Sequence, residues 1–369
     1  QENNIRIISE PWTAAGSGPG IGGFPSSSNR DGFAWSEWNA HFRDWWRSFV
    51  NNCDWSGCAG DNGESRFVLN STEGVDGGSV MTGSSAVYGW NGRKPYHSIN
   101  FVTVHDGFTL YDLFSYTEKQ NDCGLLNPIC CDDPFSAWCD TDSGESHNRS
   151  YDWGMNSEHI KRKQMRNLFA ALFFSHGTPM ILGGDEWMRT QYGNNNAYST
   201  WADNEWNWFR WGEWQADSKN YRSRMHDFVR NLTRMRKERS YAFSPKEFGS
   251  GMPFEWKSPS NTAADWSSRS LMIHYYNDGN WEEAELAVLI NMTPYSVDFT
   301  LPSGRNWARI LDTQEYFDLD GTNSEPTGYF NSNEDKDPRR SANISLDSPR
   351  SVDSSYSLPG FSIAIMEEQ

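Results

Sequence analysis

Basic residues are scarce in this sequence. Its 369 residues hold 32 lysines and arginines against 49 aspartates and glutamates, a net charge of −17. Nucleic acids and anionic membrane surfaces are recognised by basic patches that displace counterions, so the balance argues against both as partners. Long apolar runs are missing too. None approaches the roughly 20 residues of a membrane-spanning helix. The sequence opens at Gln1 with no basic-then-apolar leader, which reads as a processed or partial chain. Cysteine is sparse and confined: six residues, at positions 53, 58, 123, 130, 131 and 139, all in Gly/Asp/Pro-rich stretches. No spaced histidine joins them, which weakens a metal reading. An even count in loops reads instead as disulfide staples and an oxidising compartment, with Cys53–Cys58 the expected pair. Free thiols of a cytosolic enzyme are the alternative. The Asn-x-Ser/Thr tripeptides at Asn70, Asn148, Asn231, Asn291 and Asn343 are common by chance and add little.

Tryptophan, by contrast, is abundant, with 19 residues. Indole faces stack on sugar rings, but large cores also use them. Along the first two-thirds of the chain short apolar strands alternate with amphipathic helices. "RIIS" (6–9) reads as a strand ending at Glu10. In "HFRDWWRSFV", Phe42, Trp45, Trp46, Phe49 and Val50 fall at i, i+3, i+4, i+7 and i+8, one stripe that reads as core. "SINFVTV" (98–104) is a strand ending at His105-Asp106-Gly107. A helix follows, with Ser157 as its N-cap, Ile160, Met165, Leu168, Phe169 and Leu172 on one face, and a stop at Gly177 and Pro179. "PMIL" (179–182) is another strand, leading to Asp185-Glu186, and a long helix is expected over 218–237.

This alternation implies a parallel sheet with helical crossovers, and such sheets collect their chemistry at the carboxyl ends of the strands. Three strand ends here are acidic: Glu10, Asp106 and the Asp185-Glu186 pair. From about residue 265 the pattern becomes all strand ("SLMIHYY", "ELAVLINM", "SVDFTLP", "WARILDT", "FSIAIM"), as in a β-sandwich of about 100 residues. The expected units are 1–262 and 263–369.

The segments "SEPW", "GFAWSEWNAHFRDWWRSF", "SINFVTVHDGFTLYDL" and "GTPMILGGDEWMRTQYGNNNAY", with the closing β-domain, together resemble isoamylase-type glycogen debranching enzymes of the α-amylase superfamily, glycoside hydrolase family 13. The resemblance implies an α/β fold: the C-terminal half, strands five to eight, of a (β/α)8 barrel, then an antiparallel β-sandwich. It maps "SEPW" to the end of strand five, "FVTVHD" to the end of strand seven and "PMILGGDE" to strand eight. The family nucleophile, an aspartate in an Arg-x-Asp context on strand four, would lie upstream. A second polypeptide segment carrying the missing half is therefore the expected partner.

By the same resemblance Glu10 is the general acid/base, Asp106 the third carboxylate that holds the sugar hydroxyls, and His105 a hydrogen-bonding neighbour of that sugar. Each has a plainer reading: Glu10 as a helix N-cap or surface acid, Asp106-Gly107 as a turn, His105 as a structural histidine. Asp185, Glu186 and the run Asn194-Asn195-Asn196 either cap the barrel or line the branch-point cleft. Trp12 and Trp187, flanking the acidic tips, are the candidate stacking platforms. The family's calcium site maps to the missing region, so no cofactor or metal is expected in this chain. The implied reaction is hydrolysis of α-1,6 branch linkages in glycogen, amylopectin or limit dextrins. Its rivals are an α-1,4-acting amylase or glucanotransferase, and a non-catalytic glucan-binding subunit. The cysteines suggest an extracellular or periplasmic setting; storage-glycogen turnover would suggest the cytoplasm.

Overall fold

Four short strands run parallel and side by side in chain order: β1 (Ile8–Ser9), β2 (Ser36–Asn39), β3 (Ser98–Asn100) and β4 (Thr178–Pro179). The computed structural model describes residues 6–13, 18–26, 34–62, 64–121, 144–154, 157–197, 207–211, 221–314 and 349–369. Ile8 pairs with Ser36, Trp38 with Ile99, and Ile99 with Thr178. Partners in a parallel ladder point to the same face, so Ile8, Ser36, Trp38 and Ile99 share one side of the sheet. Continuing the alternation puts Glu10 there too.

The opposite face is polar and satisfied. Asn39 Nδ2 donates to Ser84 Oγ and Ser98 Oγ, both at 2.8 Å, and Asn100 Nδ2 donates to the His176 carbonyl at 2.8 Å. Glu37 and Arg93, both with fully buried side chains, form an ion pair at 2.5 Å. Glu37 also accepts from the Phe24 amide at 3.0 Å, tying the loop after β1 to the sheet. Both later strands are shorter than expected. Residues 101–104 leave the ladder but stay buried, and in the fourth strand only the Met180 amide reaches back to Asn100, at 2.8 Å.

The tryptophan-rich stripe behaves as read. Phe42, Trp45, Trp46, Phe49 and Val50 of α1 (Ala40–Asn51) are all fully buried. Asn39 caps this helix, its Oδ1 accepting from the Phe42 amide at 3.3 Å. α2 (Glu158–Phe174) follows Ser157, but the serine side chain makes no capping bond. The far end of α2 is capped from outside. Arg236 of α3 (Tyr221–Glu238) donates to the carbonyls of Phe173, Ser175 and Gly177 at 2.6–2.7 Å. Burial draws that guanidinium down to about 10. Cys53 and Cys58 are disulfide-bonded across a two-stranded hairpin; the other four cysteines lie outside the described residues.

The C-terminal strands are β5 (Phe254–Lys257), β6 (Ser270–Tyr275), β7 (Leu286–Asn291), β8 (Val297–Thr300), β9 (Trp307–Asp312), β10 (Arg350–Val352), β11 (Ser355–Leu358) and β12 (Ser362–Glu368). Six of them form one antiparallel sheet in the order β10-β9-β12-β7-β6-β5, while β8 and β11 pair separately. β5 precedes residue 263 yet belongs to this sheet. The sheet is apolar on both faces. Leu271, Ile273, Leu286, Val288, Ile290, Ile363 and Ile365 join the core around α1 and α2, while their alternates Met272, Ala287, Leu289, Ala364 and Met366 pack beneath the β8–β11 pair. That explains a run such as "LAVLIN" with no polar alternate.

Polar bonds lock the sheet to the helices. Asn167 Nδ2 donates to the Phe361 carbonyl at 2.7 Å, and Arg239 grips Glu367 with two bonds of 2.7 and 2.8 Å. Arg269, just before β6, is buried among uncharged acceptors. It donates to the Met292 carbonyl (2.7 Å), the Phe49 carbonyl (2.6 Å), Asn52 Oδ1 (2.7 Å) and the Phe67 carbonyl. Burial lowers it to about 9. Arg269→Lys keeps the charge but loses the planar fork that reaches three chain segments at once. It is expected to destabilise the fold by about 2–3 kcal/mol, read as a lowered denaturant midpoint with an unchanged slope.

Candidate functional site

Beyond Asn100 the chain has no ladder to hold it, so the loop bearing His105 and Asp106 is fixed by side chains from elsewhere. Arg47 Nε donates to the Val102 carbonyl at 2.7 Å. Thr103 Oγ1 donates to Asp185 Oδ2, and the Leu110 amide donates to Asp185 Oδ1 at 3.0 Å. The Gly107 amide donates to the Asn195 carbonyl at 2.9 Å, and the Phe108 amide to Asn148 Oδ1 at 3.1 Å. Gly107 is at φ +125°, a conformation few L-residues adopt, and a Cβ there would approach Asn148 Oδ1 to 3.3 Å.

Trp38 joins this loop to the end of β1. Its ring lies 5.8 Å from His105, 5.8 Å from Phe101 and 6.3 Å from Trp12, centroid to centroid. Glu10, two residues ahead of Trp12, is exposed, whereas His105 and Asp106 are half-buried. Asp106 Oδ1 is buried and finds no hydrogen-bond donor among the described residues. Arg43 stands behind it. Burial opposes the charge of Arg43, but Asp44, Glu145 and Asp106 outweigh that and raise its affinity for the proton.

The remaining residues singled out in the sequence fall differently. Asp185 is 1% exposed with both carboxylate oxygens bonded internally, so it holds the loop rather than facing a ligand. Glu186 turns back to accept from the Gly184 amide at 2.9 Å. Trp187 is 2% exposed and packs edge-on against His226 of α3 at 6.0 Å, so its ring offers no open stacking face. Asn196 is buried, and its amide donates to Asn194 Oδ1 at 2.9 Å; Asn195 bonds Asn121 and the Glu145 carbonyl. Asp185 and Asn195 thus bond between loops through their side chains. Among the described residues, the exposed rings in this neighbourhood are Tyr192, Trp208 and Trp211.

Two residues escaped the sequence reading. Trp38 sits mid-strand, and only the register of its strand, Ser36 with Ile8 and Trp38 with Ile99, reveals that it lies between the tips. Asp112 is fully buried and accepts from Thr190 Oγ1 and the Gln191 amide (2.7 Å), joining the loop after β3 to the loop after β4. Nothing in "FTLYDLF" separates it from a surface aspartate.

Burial raises the Asp185 carboxyl from 3.8 to about 6, beyond what its bonds to Thr103 and Leu110 recover. The folded protein therefore holds this proton where the unfolded chain has released it, and stability falls as pH rises from about 4 to about 6. Asp185→Asn removes that decline. Wild-type stability relative to the variant is expected to drop by on the order of 2–3 kcal/mol between pH 4 and pH 7, measured by denaturant unfolding across that range.

Among the described residues, no group of three or more His, Cys, Asp or Glu could hold a metal ion, and no helix is long and apolar enough to cross a membrane. No family model matches the chain. It is 34% identical over 323 residues to an isoamylase from Flavobacterium sp., covering 83% of this chain and 37% of that protein. It is 33% identical to the chloroplastic isoamylase SU1 of Zea mays (84% and 35%), and 35% identical to a glycogen operon protein GlgX homologue of Mycobacterium bovis (85% and 42%). The chain thus spans 35–42% of the length of these curated relatives. Among solved structures, it superposes on a pullulanase from Bacillus acidopullulyticus with a TM-score of 0.55 at 19% identity, covering 98% of this chain and 34% of that one. A type I pullulanase from Bacillus subtilis gives 0.58 at 16% identity, covering 98% and 39%. At such identities these matches speak for the α/β fold, a parallel sheet with antiparallel sheets after it. Over the stretch it shares with them, this chain is a homologue of the isoamylases and of the GlgX-type glycogen operon proteins.

Proposed function

We propose that this chain carries part of the active site of a glycoside hydrolase that cleaves α-1,6 branch linkages in glycogen, amylopectin and limit dextrins with retention of configuration. The observation that supports it most directly is Asp106 Oδ1, a buried acceptor with no donor of its own among the described residues. Buried acceptors are ordinarily partnered, and a sugar hydroxyl supplies the missing donor. The ring line Trp12–Trp38–His105 supports the pairing of the Glu10 tip with that loop.

In this reading Glu10 protonates the departing glycosidic oxygen and then activates water, while Asp106 and His105 hold the sugar as its ring distorts. The nucleophile is an aspartate from a segment outside this sequence, about 5–5.5 Å from Glu10 as retention demands. β1–β4 stand as strands five to eight of a (β/α)8 barrel, with the C-terminal sheets as a β-sandwich. Support comes from Ile8, which is 53% exposed on the face it shares with Trp38, and from the outer edges of β1 and β4, which pair with no other strand among the described residues. A segment bearing the first four strands would cover both. Any calcium belongs to that segment. The Cys53–Cys58 disulfide favours an extracellular or periplasmic setting.

The test uses the full-length protein. Glu10→Gln is expected to lower kcat on glycogen by about 10²- to 10⁴-fold with KM little changed. The wild type should release linear oligosaccharides from a branched glucan and nothing from a linear one. Undiminished activity in Glu10→Gln removes the acid/base assignment, and cleavage of the linear glucan hands the reaction to the α-1,4 rival.

A further inference from the structure

At the opposite end of the parallel sheet from His105 and Asp106 lies a cleft of about 860 Å³. Its position is fixed by His176, which lines it two residues ahead of β4 and forms a parallel bridge with Thr82. The volume falls within the range of small-molecule sites. One wall is aromatic. Trp256 of β5 and Trp266 stand with ring centroids 5.3 Å apart at 65°, both half-buried, with Phe248 beside them. The segment bearing Trp266 is held by its carbonyl, which accepts from the Asn70 amide at 2.9 Å. Gly78 packs closely against the Trp266 indole, since a Cβ there would lie only 3.2 Å from the ring.

Polar residues adjoin the aromatic wall, and the lining carries no lysine or arginine. Asn70 and Asp76 are exposed, and Ser79 Oγ is buried without a hydrogen-bond partner among the described residues. A cleft with no cation and an aspartate at its edge does not select an anion. Aromatic rings beside hydroxyl, amide and carboxylate groups match a ligand with apolar C–H faces and a rim of hydroxyls.

The geometry points to a second, non-catalytic binding site for a linear α-1,4-linked glucose oligosaccharide, seated on Trp256 and Trp266 and hydrogen-bonded by Asn70, Asp76 and Ser79. This rests on the proposal that the substrate is an α-glucan. The site would hold an outer chain of the branched polymer while a branch point is cut at the other end of the sheet.

Two readouts in the full-length protein test it. Titration of the wild type with maltohexaose, followed by tryptophan fluorescence, should show binding that Trp266→Ala weakens about five-fold or more. Trp266→Ala should also raise KM on glycogen by a similar factor while leaving kcat, and KM for a short singly branched oligosaccharide, unchanged. Asn70→Ala, at an exposed position where folding is not at stake, should give a smaller shift in the same direction. Unchanged maltohexaose binding in both variants overturns the site, as does an equal rise in KM on the short substrate. The binding titration does not require turnover. Maltohexaose binding that is sensitive to Trp266 in a protein that fails to debranch would therefore keep this site and remove the proposed function instead.

Discussion

Asp185 gives up solvent entirely, and its two oxygens close one loop around Thr103 and Leu110. The His105-Asp106 loop has no ladder of its own, so its place depends on that carboxylate, on Asn148 and on the Asn195 carbonyl. Asp112 repeats the device next door, binding Thr190 and Gln191. Together the two aspartates fasten the loops after β3 and β4 to each other. Buried carboxylates are unfavourable unless bonded on each oxygen, which makes this arrangement all-or-none. Losing one donor leaves a desolvated oxygen and frees the loop in the same step.

The acidic tips are held in turn by the C-terminal sheet. α2 runs directly into β4, so the position of the β4 tip is set by whatever fixes α2. That is the inner face of the six-stranded sheet, reinforced by the bond from Asn167 to Phe361 and by Lys163 Nζ to the Gly360 carbonyl at 2.9 Å. The other end of α2 is closed by Arg236 from α3. The sheet therefore acts as a floor for the loops after β3 and β4, and its second apolar face needs the β8–β11 pair as cover. A sheet with both faces buried cannot alternate polar and apolar residues, and its strands do not.

Much of this was legible before any coordinates. The α1 stripe was, because 3.6-residue periodicity is a local property and burial follows it. So were the C-terminal strands and the place of Glu10 at the tip of β1, whereas Asp106 lies in a loop six residues beyond the end of β3. The strand lengths were not. Residues 101–104 are as apolar as a ladder strand because they are buried in a loop, and composition does not distinguish the two. Trp187 read as a stacking platform, and Asp185 as either a cap of the barrel or a cleft residue, because they follow a strand end; what turns them inward is His226, Thr103 and Leu110, all distant in sequence or brought near only by the fold. Trp38 was passed over for the opposite reason. Its neighbours Glu37 and Asn39 face a polar network on one side of the sheet, and only the parallel register shows that Trp38 faces the other.

β4 carries a titrating group at each end, and the two oppose each other. Before it, His176 is buried next to Arg236 and its ring is drawn down to about 4; its Nε2 lies 3.3 Å from the Tyr275 hydroxyl. The unfolded chain takes up this proton at about 6.5, so His176 contributes stability that is present above that pH and lost as pH falls toward 4. After the strand, Asp185 contributes most below its ordinary value and loses that contribution as pH rises toward 6. Over the shared window the slopes have opposite signs, so a shallow overall pH profile does not mean that neither group titrates. The acid-side loss comes from His176 at the cleft end of the sheet, and the loss toward neutral pH from Asp185 at the other end. The bonds from Thr103 and Leu110 favour the charged carboxylate, so they persist once Asp185 ionises, and what rising pH removes is the stability contributed by the bound proton.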